Sequence, residues 1–144
     1  MIKKISVKVK KLHPEAKIPS YGTDFSAGFD LYSVDDYELK PGETKAIGTG
    51  IVLEIPEGKC WFIWDRSGLG SKGIHRFAGL LDSDYRGECK IVLHNHTKEI
   101  FRIEKGMKVA QAVIQDYYKA EFREVYELSD TKRGAGGFGS TGMK

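Results

Sequence analysis

The stretch TKAIGTGIVLEIPEGKCWFIW, residues 44–64, decides the fold. It contains two runs rich in aliphatic and aromatic residues, 44–55 and 59–64, and the turn residues Glu57 and Gly58 lie between them. Runs of this composition, bounded by turn residues, are typical of β-strands. The stretch therefore predicts two strands joined by a turn.

The same pattern recurs along the chain. Ile5, Val7 and Val9 alternate with polar residues, which predicts a half-buried strand. Further runs are GFDLYS, ECKIVLHN, EIFRIEKG, KVAQAVIQDYY and EFREVYEL. Because the runs recur about every ten residues with turn residues between them, they predict an all-β sandwich or barrel. The best helix candidate is one or two turns around Ser67 to Lys72.

Composition limits the class of protein. The chain has 144 residues, of which 40% are hydrophobic and 30% charged, as in an ordinary globular domain with one core. The net charge of +3 comes without a long block of Lys and Arg, so we expect no nucleic-acid partner. Cys60 and Cys89 show no metal-ligand spacing, and we expect two buried, reduced thiols.

No segment predicts export or a membrane. The N-terminal MIKKISVKVKK lacks the apolar region of a signal peptide. No apolar run approaches the ~18 residues that a membrane span needs. We therefore expect a reducing, aqueous compartment, the cytoplasm, and no membrane partner.

The C-terminal RGAGGFGSTG, residues 133–142, combines five glycines with an arginine, a phenylalanine and two hydroxyls. We expect the compact part to end near Leu128, which divides the chain into a β core, 1–128, and a flexible glycine-rich arm, 129–144. A disordered tail has little reason to carry Arg133 and Phe138. A lid that orders over a phosphorylated aromatic ligand accounts for the whole set of residues.

The segment WDRSGLGSKG predicts an anion site. Arg66 and Ser67 stand at the start of the expected helical turn, where free N–H groups, a hydroxyl and a guanidinium can hold a phosphate. Gly68 lets an anion approach the backbone closely. The alternative is a serine helix cap with a surface arginine.

Two further segments carry chemistry. In AGLLDSDYRGE, Asp82 at the edge of an apolar pocket can act as a general base, and Tyr85 offers a flat face for a sugar or base. The alternative is an acidic β-turn. In KGMKVAQAVI, Val109, Gln111 and Val113 are expected on one strand face, where a buried glutamine amide requires a hydrogen-bonding partner.

Taken in order, these segments resemble the trimeric dUTPases, and the resemblance covers essentially the whole chain. The five motifs that carry it are AGFDLYS (27–33), DRSGLGSKGI (65–74), GLLDSDYRGE (79–88), GMKVAQAV (106–113) and RGAGGFGSTG (133–142). The resemblance implies a distorted jelly-roll-like β-barrel or sandwich with one very short helix. It also implies a homotrimer whose three sites each draw residues from three subunits and are closed by a neighbouring subunit's arm. The implied reaction converts dUTP to dUMP and pyrophosphate with Mg²⁺, which keeps uracil out of DNA and supplies dUMP for dTMP synthesis.

The resemblance also implies residue roles. Asp82 would activate the water that attacks the α-phosphate, and Gln111 would help to place that water or the α-phosphate. Asp30 would reach Mg²⁺ through water, with the ion mainly on the triphosphate. The implied substrate contacts are Arg66, Ser67 and Gly68 on phosphates, Tyr85 on the deoxyribose, and Gly79, Leu80, Leu81 and Lys90 on the uracil edge. The arm would contribute Arg133, Ser140 and Thr141 near the γ-phosphate, with Arg133 also catalytic, Phe138 over the uracil, and Gly139 as a further substrate contact.

One residue departs from the family pattern, and one rival activity shares the fold. Asp65 stands where the family usually has proline, and we expect its side chain to face outward. The rival is a dCTP deaminase, alone or combined with dUTPase activity. The intact DSDYRG and the short chain favour hydrolysis alone.

Overall fold

The computed structural model of the chain describes residues 2–142. Met1, the first residue of the predicted core, and Met143 and Lys144, the last two residues of the predicted arm, lie outside the described residues. This part forms eleven strands and one helix. In chain order they are β1 (Lys8–Lys11), β2 (Ser20–Tyr21), β3 (Phe29–Tyr32), β4 (Tyr37–Leu39), β5 (Thr44–Glu54), β6 (Lys59–Trp64), α1 (Ser67–Gly70), β7 (Ile74–Phe77), β8 (Leu80–Leu81), β9 (Glu88–Asn95), β10 (Phe101–Ile103) and β11 (Lys108–Asp116).

The strands form two main sheets and a small one, and all pairings are antiparallel. One sheet has the order β1-β5-β9-β7 and the other β2-β3-β11-β6-β8, while β10 pairs with β4. The strand order differs from the chain order, as in a jelly roll, where strands pair across long connections. The predicted all-β, jelly-roll-like fold with one very short helix is confirmed.

The core lies between the two main sheets. Ile47 and Ile91 from one sheet, and Leu31 and Ala110 from the other, belong to one buried cluster and are at most 1% exposed. Burial alternates along β9, as the period-two pattern predicts. Removing these aliphatic side chains from water is the main stabilising contribution to the sandwich.

The helix α1 forms where the sequence predicts a helical turn. Leu69, at 7% exposure, anchors it to the core. It lies between β6 and β7, which belong to different sheets. In residues 2–142, no helix has the length and apolar character that a bilayer span would need.

The chain beyond β11 differs from the prediction. EFREVYEL, residues 121–128, was expected to form a strand, but no strand is present there and all eight residues are exposed. Phe122, Tyr126 and Leu128 are at least 87% exposed. The pattern of apolar residues is that of a strand, but no strand within residues 2–142 pairs with this segment. The last strand ends at Asp116, and the boundary at residue 128 stays a prediction.

Both cysteines are free and buried, as predicted. Burial raises the pKa of the Cys89 thiol to about 12. Burial also raises the pKa of the Cys60 thiol, and the negative charges of Asp82 and Asp116 raise it further. A raised pKa keeps each thiol protonated and therefore a poor nucleophile at neutral pH.

We therefore expect neither cysteine to react with iodoacetamide in the native protein at about pH 8, where an ordinary exposed thiol reacts readily. Mass spectrometry before and after unfolding in guanidinium measures this, with two alkylations expected only in the unfolded chain. Rapid alkylation of native Cys89 would contradict its burial.

Candidate active site

Asp30, Arg66 and Lys108 form the first group of polar side chains, called here the Asp30 cluster. Arg66 Nε lies 3.2 Å from Asp30 Oδ1, and Lys108 Nζ lies 2.8 Å from Asp30 Oδ2. Asp30 is mostly buried, whereas both cations are about two-fifths exposed. One carboxylate thus holds two cations at a surface, which leaves one net positive charge available to an anion.

The start of α1 adjoins Arg66, which occupies the N-cap position without a side-chain capping bond. The first intrahelical bonds run from the Leu69 and Gly70 amides to the Arg66 carbonyl, at 3.0 and 2.9 Å. The amides of Ser67 and Gly68 therefore belong to the first-turn donors that a helix cannot satisfy itself. A Cβ added at Gly68 would meet nothing within 4 Å, so the space there is open.

Gln111 is held in a defined orientation beside the Asp30 cluster. Its Nε2 donates to the Asp65 carbonyl at 2.9 Å, which supplies the partner that the sequence requires. A Cβ added at Gly28 would come within 2.6 Å of Gln111 Oε1, so glycine leaves the space that the amide occupies. A bulge between Lys108 and Ala110 disrupts the predicted alternation, so Val109 is 1% exposed while Gln111 is only half-buried.

The second group of predicted site residues lies on and around β8. It consists of Gly79–Asp82, Tyr85 and Lys90 and is called here the Asp82 cluster. These residues line a cavity of about 220 Å³. Arg76 and Phe77 line it too, although the sequence did not identify them as part of the site. Lys90 and Asp82 are exposed and Leu81 is buried, so the lining of the cavity combines polar and apolar residues.

Tyr85 has a defined position in the Asp82 cluster. Its hydroxyl donates to the Glu88 carbonyl at 3.1 Å. A Cβ added at Gly87 would lie 2.8 Å from Tyr85 Cε2, closer than any real contact. Glycine at 87 is therefore required for the ring to fold back against its own loop.

A larger, more open cavity of about 800 Å³ shares Leu80 and Asp82 with the Asp82 cluster. Its other lining residues, among them Glu57, Arg86 and Tyr117, are not predicted site residues. Size alone does not make it the candidate site, since the residues with matching chemistry line the smaller cavity.

Strand β6 separates the two clusters. Gln111 pairs with Trp64 at one end of β6, and Leu81 pairs with Trp61 from the opposite side of the strand. Three residues along a strand span about 10 Å, and two neighbours that flank the same strand lie about 10 Å apart. One chain therefore does not bring Asp82 and Gln111 to the same reacting atom.

None of residues 129–142 lines either cavity or takes part in the ion pairs of the Asp30 cluster. The hydrogen bonds recorded within 129–142 are local, such as Arg133 Nε to the Gly136 carbonyl at 2.8 Å. Phe138 is fully exposed with a left-handed φ of 49°. Gly139, Ser140 and Thr141 are exposed too.

A metal ion would have few direct protein ligands. In residues 2–142, no three or more His, Cys, Asp or Glu side chains are grouped so that they could hold one. In the Asp30 cluster, Oδ1 of the Asp30 carboxylate faces Arg66 and Oδ2 faces Lys108.

The expectation for Asp65 is wrong. Its side chain is only 22% exposed and turns towards β7, where Oδ1 accepts from the Arg76 amide at 2.7 Å and Oδ2 contacts His75 Nδ1. Sequence reasoning also missed Lys108. The signal for it was a cation within GMKVAQ, one strand away from Asp30.

Comparisons with known proteins identify the family. A dUTPase family model matches residues 14–142. The chain is 53% identical over 141 residues to a deoxyuridine 5'-triphosphate nucleotidohydrolase of Nautilia profundicola, covering 96% of this chain and 99% of the relative. It is 46% identical over 141 residues to the enzyme of that name from Clostridioides difficile, again covering 96% and 99%.

Solved structures agree. A mutant dUTPase of Staphylococcus bacteriophage 80alpha with dUpNHpp superposes with a TM-score of 0.91 at 28% identity, covering 97% of this chain and 100% of that one. A mutant dUTPase from phage phi11 of S. aureus, described with a structural Mg(II) ion, gives 0.82 at 25% identity, covering 88% and 100%. With nearly its whole length matched in sequence and in fold, the chain belongs to the dUTPase family.

Proposed function

We propose that the chain hydrolyses dUTP to dUMP and pyrophosphate. The observation that carries the proposal is the presence of two complementary half-sites in a dUTPase-family fold. The Asp30 cluster offers cations and amides for phosphates, and the Asp82 cluster offers a carboxylate beside a cavity with a polar edge.

The phosphate end is bound by charge. A nucleoside triphosphate carries about four negative charges, so stabilising a transition state on it is largely electrostatic. Arg66, Lys108 and the amides of Ser67 and Gly68 supply positive charge and donors in one place. Arg133, Ser140 and Thr141 of an arm add a guanidinium and two hydroxyls at the γ-phosphate end.

Mg²⁺ fits this donor set as a phosphate-bound ion. Mg²⁺ prefers oxygen ligands and keeps several waters, so one carboxylate and the substrate phosphates suffice. Asp30 would reach it through water while its oxygens face Arg66 and Lys108. When bound, the ion neutralises charge that develops on the phosphates.

The nucleoside end is read by the Asp82 cluster. Backbone groups at Gly79, Leu80 and Leu81, together with Lys90, face the cavity and can hydrogen-bond the uracil edge. Tyr85, held over Gly87, packs against the deoxyribose and leaves no room for a 2′-hydroxyl. Phe138 of an arm stacks on the uracil as the site closes.

The chemical step needs an oriented water. Asp82 accepts its proton as the oxygen attacks the α-phosphorus, and the bond to the pyrophosphate oxygen breaks. Gln111, fixed by the Asp65 carbonyl, orients the water or the α-phosphate through its remaining amide groups. Arg66 and Arg133 stabilise the charge on the leaving pyrophosphate.

The working site is shared within a homotrimer. Since β6 separates Asp82 from Gln111 in one chain, a complete site takes the Asp82 cluster from one subunit and the Asp30 cluster from another. The arm, 129–144, follows an exposed segment that carries Phe122, Tyr126 and Leu128, whose apolar surface is buried once it lies on a neighbour. Closed rotational symmetry then gives identical sites.

In the cell, this reaction would keep uracil out of DNA and supply dUMP for dTMP synthesis in the cytoplasm. A pyrophosphate-release assay across dUTP, dCTP, dTTP and UTP with Mg²⁺ tests the proposal, and dUTP is expected to be preferred. Ammonia release from dCTP would instead support the deaminase.

Asp82→Asn should leave the binding of a non-hydrolysable dUTP analogue intact but lower kcat by roughly 10²–10⁴-fold, because the amide cannot accept the proton. Steady-state kinetics and calorimetric titration measure the two effects. Asp84→Asn, two residues away on the same exposed turn, is the matched control and should retain activity. Normal turnover by Asp82→Asn would remove this residue from the base role.

Truncation after Lys132 should leave the melting temperature and the oligomer unchanged, since the recorded bonds of residues 133–142 stay within the arm. Activity should fall on the order of 100-fold, because donors to the charged phosphates are lost. Phe138→Ala should show a smaller loss of kcat/KM. An unchanged rate after truncation would exclude closure by the arm.

Mixed trimers test the shared site. Asp82→Asn and Arg66→Ala chains should each be nearly inactive alone. If each site combines two subunits, random mixed trimers should recover about a quarter of the wild-type activity, because that fraction of sites is intact. Analytical ultracentrifugation verifies the trimer. Homotrimers mixed without subunit exchange are the control, and no recovery in verified mixed trimers would contradict sharing.

A further inference from the structure

Four residues tie the end of β6 to β7 and are called here the β6–β7 brace: Trp64, Asp65, His75 and Arg76. Strand β6 belongs to the five-stranded sheet and β7 to the four-stranded one. The segment that connects them contains α1 and the amides assigned to phosphate binding. The brace therefore joins the two sheets at the base of that segment.

The Asp65 carboxylate is the centre of the brace. Oδ1 accepts a hydrogen bond from the Arg76 amide at 2.7 Å, and Oδ2 contacts His75 Nδ1. Because a carboxylate only accepts hydrogen bonds, His75 Nδ1 carries the hydrogen. A half-buried backbone amide and an imidazole N–H of β7 are thus both satisfied by one side chain from the end of β6.

A second contact reinforces the first. The Arg76 guanidinium lies over the Trp64 ring, with its carbon 5.2 Å from the ring centroid. Arg76 Nη1 donates to the Ala78 carbonyl at 2.6 Å. Trp64, the last residue of β6, and Asp65, which follows it, therefore both contact Arg76 of β7.

The backbone of Asp65 connects the brace to two residues of the proposed site, Gln111 and Arg66. Its carbonyl accepts from Gln111 Nε2 at 2.9 Å, and its next neighbour is Arg66, which pairs with Asp30. A shift of the Asp65 backbone would move the acceptor of Gln111 and the attachment point of Arg66 together.

The backbone of residue 65 has no restraint of its own. A proline would fix φ through its ring. Aspartate has no such restraint, so its backbone must be held by contacts. The carboxylate bonds to β7 supply that restraint from outside the segment.

We propose that Asp65 is a positioning residue, tethered to β7 through His75 and the Arg76 amide, which sets Gln111 and the phosphate-binding segment 66–68 for substrate. The inference rests on the proposed function of this site. Asp65 itself touches neither substrate nor the reacting atoms.

Hydrogen exchange tests the tether without nucleotide. Asp65→Ala should increase exchange at the Arg76 amide and in α1 by about tenfold or more, because local opening no longer breaks the bonds to the carboxylate. Amides in the core of β9 should exchange as in the wild type. A second variant, His75→Gln, removes the imidazole that contacts Asp65. Its matched control is His96→Gln, because the His96 ring lies 6.3 Å from the His75 ring but outside the brace.

Binding and kinetics test the positioning. In Asp65→Ala, affinity for dUpNHpp and kcat should each fall about tenfold, since small displacements of positioned groups cost this much or more. Affinity for deoxyuridine, which carries no phosphate, should fall much less, because Arg76 is the only one of the four brace residues that lines the nucleoside cavity. Asp65→Asn should return both values to within about twofold, because its amide oxygen still accepts from the Arg76 amide. His75→Gln should show a smaller loss than Asp65→Ala, and His96→Gln none.

The results separate this inference from the proposed function. A wild-type protein that neither binds dUpNHpp nor hydrolyses dUTP would overturn the proposed function, and the exchange experiment would still report on the tether. Unchanged exchange in Asp65→Ala would overturn the tether. Increased exchange with wild-type affinity and kcat would overturn positioning, as would an equal loss of dUpNHpp and deoxyuridine binding.

Discussion

The antiparallel pairing of β6 with two neighbours is the constraint on which the site depends. Strand β11 lies on one side of β6 and β8 on the other. The register places Gln111 opposite Trp64 and Leu81 opposite Trp61. Backbone hydrogen bonds set these distances, so no side-chain rotation brings Asp82 to Gln111 within one chain. Assembly is therefore part of the chemistry in the proposed enzyme, since a single chain supplies only halves.

Glycines and a carboxylate set the orientation of groups that the proposed reaction uses. Gly28 leaves space for the amide of Gln111, and Gly87 leaves space for the ring of Tyr85. Asp65 provides a carbonyl for Gln111 and a carboxylate for β7. None of these three is assigned to the chemistry itself. Each fixes one rotamer or one backbone segment, which is how a rigid β scaffold preorganises a site.

Two surface features of the chain bear on the proposed assembly. Asp30 holds Arg66 and Lys108 side by side, and its negative charge offsets the repulsion between the two cations. Beyond Asp116, exposed aromatic residues continue, and no strand in the described part of the chain pairs with them. In the proposed trimer, a neighbour would cover the apolar segment, and an arm would bring Arg133 to the phosphates that Arg66 and Lys108 bind.

Local patterns in the sequence determined much of this protein. Period-two alternation and regularly spaced turns predicted the all-β fold, and ordered motifs indicated the family and most members of both clusters, although not Lys108 or the cavity residues Arg76 and Phe77. The prediction of a strand over 121–128 was wrong, because an alternating pattern indicates an apolar face but not whether a partner strand exists. The tertiary structure alone decided that Asp65 turns to His75, that Lys108 meets Asp30 and that β6 separates the clusters. Those facts depend on pairing register between residues far apart in the chain, which no local pattern encodes.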